Sequence, residues 1–88
     1  MAAKRAVVSG RVQGVFFRAH VADVADARGV AGWAVNRDDG TVEIHAEGPD
    51  EGVAAVIAAA REGSARSEVR DVQVRDVEPE GCSGFASM

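Results

Sequence analysis

The chain has 88 residues, 47% of them hydrophobic and 27% charged, with a formal net charge of −4. A chain of this size supports one domain, residues 1–88, around one small core. Its acidic balance argues against nucleic acid or an anionic membrane surface as the main partner.

One tryptophan and three phenylalanines are the only aromatic residues, so the core must be mostly valine and alanine. Cys82 is the single cysteine, which excludes an internal disulfide and metal sites built on several cysteines. No helix N-terminus or histidine is obviously placed to activate it, so it reads as incidental. No long apolar run and no hydrophobic leader are visible, and the expectation is a cytoplasmic protein with no membrane partner. No long exposed apolar stripe suggests more than a monomer.

Met1 to Lys4 reads as a frayed end, and Arg5 to Ser9 as a short first strand, apolar enough for a central position. Ser9-Gly10-Arg11-Val12-Gln13-Gly14-Val15-Phe16-Phe17-Arg18 then turns the strand into a helix. Glycines at both ends of the turn permit positive φ or a close ligand approach. A loop entering a helix N-terminus presents unpaired N–H groups and the positive end of the helix dipole, which together suit an anion. Arg18 falls in the first helical turn, where the dipole disfavours a cation. It makes sense there if an anion sits between its guanidinium and the loop amides. The competing reading is a solvated arginine beside an ordinary tight turn.

Phe17, Val21, Val24 and Ala25 continue at helical spacing, and Gly29 ends that helix. His20 reads as a half-exposed helix residue. Val30 to Asn36 is a second strand. Arg37-Asp38-Asp39-Gly40 is a hairpin turn, with Asp-Gly as its signal. Thr41 to Glu47 alternates cleanly as a third strand. Its polar side carries Thr41, Glu43, His45 and Glu47, and His45 reads as a solvated cross-strand residue. Gly48-Pro49-Asp50 opens a second helix with Pro and acid where the dipole prefers them. Val53, Val56, Ile57 and Ala60 form its stripe, and Gly63 stops it. Ser64 to Ser67 is loop. Val69, Val72 and Val74 mark a fourth strand whose first valine is out of step, through a bulge or a start nearer Asp71. Glu78-Pro79-Glu80-Gly81 is a turn, and Phe85 to Met88 is a possible short fifth strand. The fold class is α+β, a ferredoxin-like βαββαβ arrangement with two helices on one face of an antiparallel sheet.

Two long motifs carry a specific resemblance. Gly10-Arg11-Val12-Gln13-Gly14-Val15-Phe16-Phe17-Arg18 is similar to the first signature of the acylphosphatase family. Gly32-Trp33-Ala34-Val35-Asn36-Arg37-Asp38-Asp39-Gly40-Thr41-Val42-Glu43 is similar to the second. The resemblance spans about Arg5 to Phe85 and implies the same fold. It also implies hydrolysis of acyl phosphates, small-molecule substrates, to a carboxylate and inorganic phosphate.

Carried over by position, Arg18 matches the phosphate-binding arginine and Asn36 the asparagine that positions the attacking water. The backbone amides of Val12, Gln13, Gly14, Val15, Phe16 and Phe17 match the phosphate cradle. The final strand departs from the family, because Ala86-Ser87-Met88 is less apolar than usual.

Bland readings stand beside these roles. Asn36 also suits a turn-favouring position, and the Gln13 side chain suits loop support. Trp33, Phe16 and Phe17 read as core or pocket wall rather than specificity elements. No residues resemble a metal-binding set, and no cofactor or metal is expected. The main alternative function is a non-catalytic phosphate- or anion-binding regulatory module, which needs Arg18 but not Asn36. Another is a domain like those attached to larger carbamoyl-transfer maturation proteins. A ferredoxin-like RNA-binding domain is disfavoured by the acidic charge and the lack of a paired aromatic platform.

Overall fold

The computed structural model describes residues 1–88. Five strands and two helices follow one another: β1 Ala2–Arg11, α1 Phe17–Ala27, β2 Ala31–Asn36, β3 Val42–Gly48, α2 Asp50–Glu62, β4 Glu68–Asp76 and β5 Phe85–Ser87. They form one sheet in the order β4-β1-β3-β2-β5. This is the expected ferredoxin-like arrangement with the short fifth strand present. The sheet is antiparallel except at β5, which pairs parallel to β2.

The core lies between one face of the sheet and the two helices. Ala6 and Val8 of β1, Ala34 of β2, and Val42, Ile44 and Ala46 of β3 supply the sheet side. Val21 and Ala25 of α1 meet Val53, Val56, Ile57 and Ala60 of α2 above them. Small alanines alternate with branched valines, so the helices seat close to the sheet. Burial of these apolar side chains is the main favourable term in folding.

The first strand begins earlier than the sequence suggests. Ala2 and Ala3 pair with Gly48 and Glu47, and Ala3 is buried. The Val77 N–H donates to the Ala3 carbonyl at 3.0 Å. The terminus is held by ladder bonds rather than frayed, and nothing in a short run of alanines and one lysine announces those partners. At the other end of β1, the pairing with β4 shifts register between Ser9 and Gly10. This is the bulge that Val69 anticipates. Gly10 takes φ 122°, and a side chain there would run into the backbone of Glu68 and Arg70. Only glycine lets the two backbones meet so closely.

His45 requires a correction. It is fully buried, not a solvated cross-strand residue. The strand order gives the reason. β4 and β5 occupy opposite edges, so residues 77–84 must cross the sheet between them. They cross the face that the helices leave open. Glu47 holds them there: the N–H groups of Glu80 and Cys82 donate to its carboxylate at 2.6 and 2.5 Å. His45 Nε2 lies 3.1 Å from the same carboxylate. The Trp33 ring stacks on His45 at 5.7 Å, and its Nε1–H donates to Glu80 at 2.9 Å. Arg5 donates to Glu80 at 2.7 Å and lies over Trp33 at 5.1 Å.

Candidate active site

The connection from β1 to α1 emerges at the end of the sheet where β2 also ends. Its backbone is unusual. Gly14 takes φ 71°, and Phe16 takes φ 60°, ψ 22°, in the left-handed region. A non-glycine residue there costs on the order of 1–2 kcal/mol. Phe16 caps α1 without any side-chain hydrogen bond, and the first turn of α1 carries no acidic residue. Arg18 occupies that turn instead. By contrast, α2 starts with Asp50 and Glu51. One helix follows the dipole rule and the other breaks it, in the same small protein.

The backbone N–H groups of residues 12 to 19 donate to no protein acceptor. Arg18 forms neither a salt bridge nor a hydrogen bond with another side chain. Six of these residues, Val12, Gly14, Phe16, Phe17, Arg18 and Ala19, line a concavity of about 250 Å³ together with Ser87. Alternating right- and left-handed backbone gathers N–H groups into an anion-binding nest. An uncapped dipole end adds partial positive charge, and Arg18 adds a full one. The arrangement suits an anion.

Three side chains fix the loop from outside. Gln13 Nε2 donates to the carbonyls of Arg37 and Thr41 at 2.8 and 2.9 Å. Ser64 Oγ donates to the Val15 carbonyl at 2.8 Å. Arg11 donates to the Arg66 carbonyl at 3.1 Å. Val15 packs against the core cluster, and Phe17 is buried within it. The side chains of Gln13 and Val15 therefore face away from the concavity. Phe16 is different again: it is 76% exposed, so it is not a core residue. A left-handed residue just before the helix turns its ring out to the rim, which the pattern of apolar residues did not foretell.

Asn36 is exposed at the last position of β2, opposite Val42. It does not line the concavity with Arg18. It lies in a separate, open depression with Arg37, Asp38 and Asp39. Two contacts relate the two places. β5 pairs Ser87 with Ala34, two residues before Asn36, and Ser87 lines the concavity. Gln13 bridges the loop to both flanks of the turn that follows Asn36. That turn is itself fastened by Asp39, which accepts from Thr41 Oγ1 at 2.6 Å and Thr41 N at 3.0 Å. These bonds, the hydroxyl's first, hold the Asp39 carboxyl below its usual range.

His20, one turn along α1, is partly exposed, with its Nε2 buried and unpartnered.

The opposite face holds a cluster that sequence spacing conceals. Potential ligand atoms of His45, Glu47 and Cys82 lie within 4.8 Å of one another. Burial works against the Glu47 charge, but the hydrogen bonds from His45, Glu80 N and Cys82 N outweigh it and hold the carboxyl at about 2. Burial, then the Glu47 charge, pushes the Cys82 thiol up. Arg5 lies 3.3 Å from His45 Nδ1. A guanidinium only donates, so Nδ1 accepts and Nε2 carries the hydrogen shared with Glu47. Both imidazole nitrogens and both carboxylate oxygens are thus occupied, and the thiol is held protonated. The donor set is that of a structural clasp and does not suit a metal, which requires free lone pairs and a thiolate.

Comparison with known proteins agrees with the geometry. The Acylphosphatase family model matches residues 4–87. An acylphosphatase of Haloarcula marismortui is 51% identical over 78 residues, covering 89% of this chain and 86% of that protein. The crystal structure of acylphosphatase from Bacillus subtilis superposes with a TM-score of 0.95 at 45% identity, covering 100% of this chain and 99% of that one. Full-length HypF, in its phosphate- and nucleotide-bound form, contains a similar unit: TM-score 0.90, 30% identity, covering 99% of this chain but 12% of that one. With both signature segments inside the matched region and the same fold throughout, the chain belongs to the acylphosphatase family.

Proposed function

We propose that the chain hydrolyses small acyl phosphates at the β1–α1 junction, with Arg18 and the amides of residues 12–17 binding the phosphate and Asn36 aiming the attacking water. The observation that carries this reading is the junction itself, a run of unpaired amides and an unpaired arginine at an uncapped helix N-terminus. A fold pursuing stability alone would cap that helix and place an acid there. Arg18 can pair with two phosphate oxygens, and the loop amides receive the rest. Gln13 and Ser64 tie the loop in place, so its amides stabilise charge in the transition state with little reorganisation.

The water oxygen attacks phosphorus from the side opposite the leaving group. The bond from phosphorus to the carboxylate oxygen breaks, and the carboxylate departs with its electron pair. A non-bridging phosphate oxygen takes the water proton, so the products are a carboxylate and dihydrogen phosphate. Asn36 contributes position rather than basicity, because an amide oxygen accepts a hydrogen bond without abstracting a proton. A carboxylate is a good enough leaving group that no strong base is required. The Gln13 bridge supports the asparagine's role, since it keeps the loop and the end of β2 in one frame.

The test is hydrolysis of benzoyl phosphate by the wild type, Asn36→Ala and Arg18→Ala. Asn36→Ala should lose roughly 10²–10⁴-fold in kcat and still bind inorganic phosphate. Arg18→Ala should lose both turnover and phosphate binding. A folded wild type that binds phosphate but does not hydrolyse the substrate would leave the anion-binding module instead.

A further inference from the structure

The phosphate end of a substrate is well provided for, but an acyl phosphate has a second end. Phe16 is the one large apolar side chain at the mouth of the concavity that the fold does not use. It lies 76% exposed, whereas the adjacent Phe17 is 1% exposed and fills the core. It lines the concavity together with Gly14, Arg18 and Ser87. Its backbone is left-handed, a conformation that aromatic residues rarely adopt and that glycine would take without strain. Neither the exposure nor the conformation benefits the fold. Strain that the fold does not need, placed against a binding concavity, points to function.

We infer that the Phe16 ring is the surface on which the acyl group rests, and that the site therefore favours acyl phosphates with aromatic or bulky apolar acyl groups over acetyl phosphate. The inference rests on the proposed phosphate site. With phosphate held by the loop amides and Arg18, the carboxyl oxygen bridge leads outward to the rim. The left-handed turn projects the ring at that rim. Aromatic faces attract planar apolar groups by offset stacking and surface burial. Covering roughly 50–60 Å² of apolar surface corresponds to about a tenfold preference. Arg18, one helical step away, stays with the phosphate.

The experiment measures kcat/KM for benzoyl phosphate and acetyl phosphate with the wild type, Phe16→Ala and Phe16→Leu. Phe16→Ala should lose about tenfold more on benzoyl phosphate than on acetyl phosphate, chiefly in KM. Phe16→Leu should recover part of the loss. Inhibition by inorganic phosphate, measured in all three, reads any change in the loop amides separately from the loss of the ring. Equal losses on both substrates would assign Phe16 to loop geometry and overturn the inference, as would no loss on either.

Calorimetric binding of two non-hydrolysable isosteres, benzoylmethylphosphonate and 2-oxopropylphosphonate, separates this from the catalytic reading. Tighter binding of the benzoyl compound that disappears in Phe16→Ala upholds the contact even if the wild type hydrolyses neither substrate. Equal binding of the two by the wild type refutes it, whatever the turnover.

Discussion

Glu47 is the clasp that closes the second face of the sheet, and replacing it with glutamine should be among the most damaging single changes outside the core. Its side chain is 2% exposed and receives three donors: Cys82 N on one oxygen, Glu80 N and His45 Nε2 on the other. Glutamine has the same shape, but one of its two terminal atoms donates. Wherever the amide is turned, an NH₂ faces at least one N–H. The carboxyl falls from its ordinary 4.5 to about 2 in the folded chain. At about 1.4 kcal/mol per pH unit, that corresponds to about 3 kcal/mol of stability at neutral pH.

Because the folded value lies below the unfolded one, this contribution is complete above about pH 4.5. It disappears as the pH falls through about 2. Glu47→Gln should therefore cost about 2–3 kcal/mol at pH 7. With a urea slope of roughly 1 kcal/mol/M for a chain of this size, the midpoint should drop by about 2–3 M. The same comparison at pH 2.5 should show the two proteins drawing together, because the wild-type carboxyl is then largely protonated on unfolding and partly so when folded. Other carboxylates titrate in this range, but they cancel in the difference. A gap below about 0.5 kcal/mol at pH 7, or one that does not narrow at low pH, would refute the clasp.

Other changes test the frame around the loop. Gln13→Ala removes both bonds from the loop to the hairpin, and should lower kcat/KM about 10–100-fold while costing only about 1–2 kcal/mol in urea unfolding. Gly10→Ala forces a side chain into the backbone of Glu68 and Arg70 at positive φ, and should cost about 2–4 kcal/mol, read as a fall in Tm. Exhaustive dialysis against a chelator should leave the hydrolysis rate unchanged, because in the proposed mechanism Arg18 and the loop amides supply the positive charge; a loss restored by added zinc or magnesium would contradict this. Asp39→Ala loosens the turn after Asn36, and should lower kcat about 3–10-fold with less than about 1 kcal/mol of destabilisation.

The elements were legible because each is written in local chemistry. Alternation in β3, helical stripes ending at Gly29 and Gly63, and Asp-Gly at the hairpin are signals carried by a few neighbouring residues. Even the bulge opposite Gly10 showed as a valine out of step. The second face of the sheet was not legible. That His45 and Glu47 are buried depends on residues 77–84, and on β5 lying at the edge farthest from β4. An alternating polar face looks the same whether water or a crossing segment covers it. The charge of Glu47 is tolerated only because two distant amides and a histidine meet it, and no local pattern encodes a meeting across more than thirty residues.

The same contrast sets the β1–α1 junction apart from the rest of the chain. Local propensity and patterning agree across most of this chain: α2, though it too lacks a side-chain N-cap, has Asp50 and Glu51 in its first turn, Arg61 in its last and Gly63 at its end. At the β1–α1 junction they fail together: a left-handed phenylalanine, no cap, no acid and an arginine at the wrong end of a dipole. Each departure costs roughly 1 kcal/mol. Their sum is a substantial part of the roughly 5–15 kcal/mol that holds a domain together. Clustered departures of that size persist where binding requires them. An anion accounts for the missing cap, the missing acid and Arg18 at once, but not for the orientation of Phe16. The ring needs a second cause, and the acyl end of the substrate is the part of an acyl phosphate that the anion site leaves unbound.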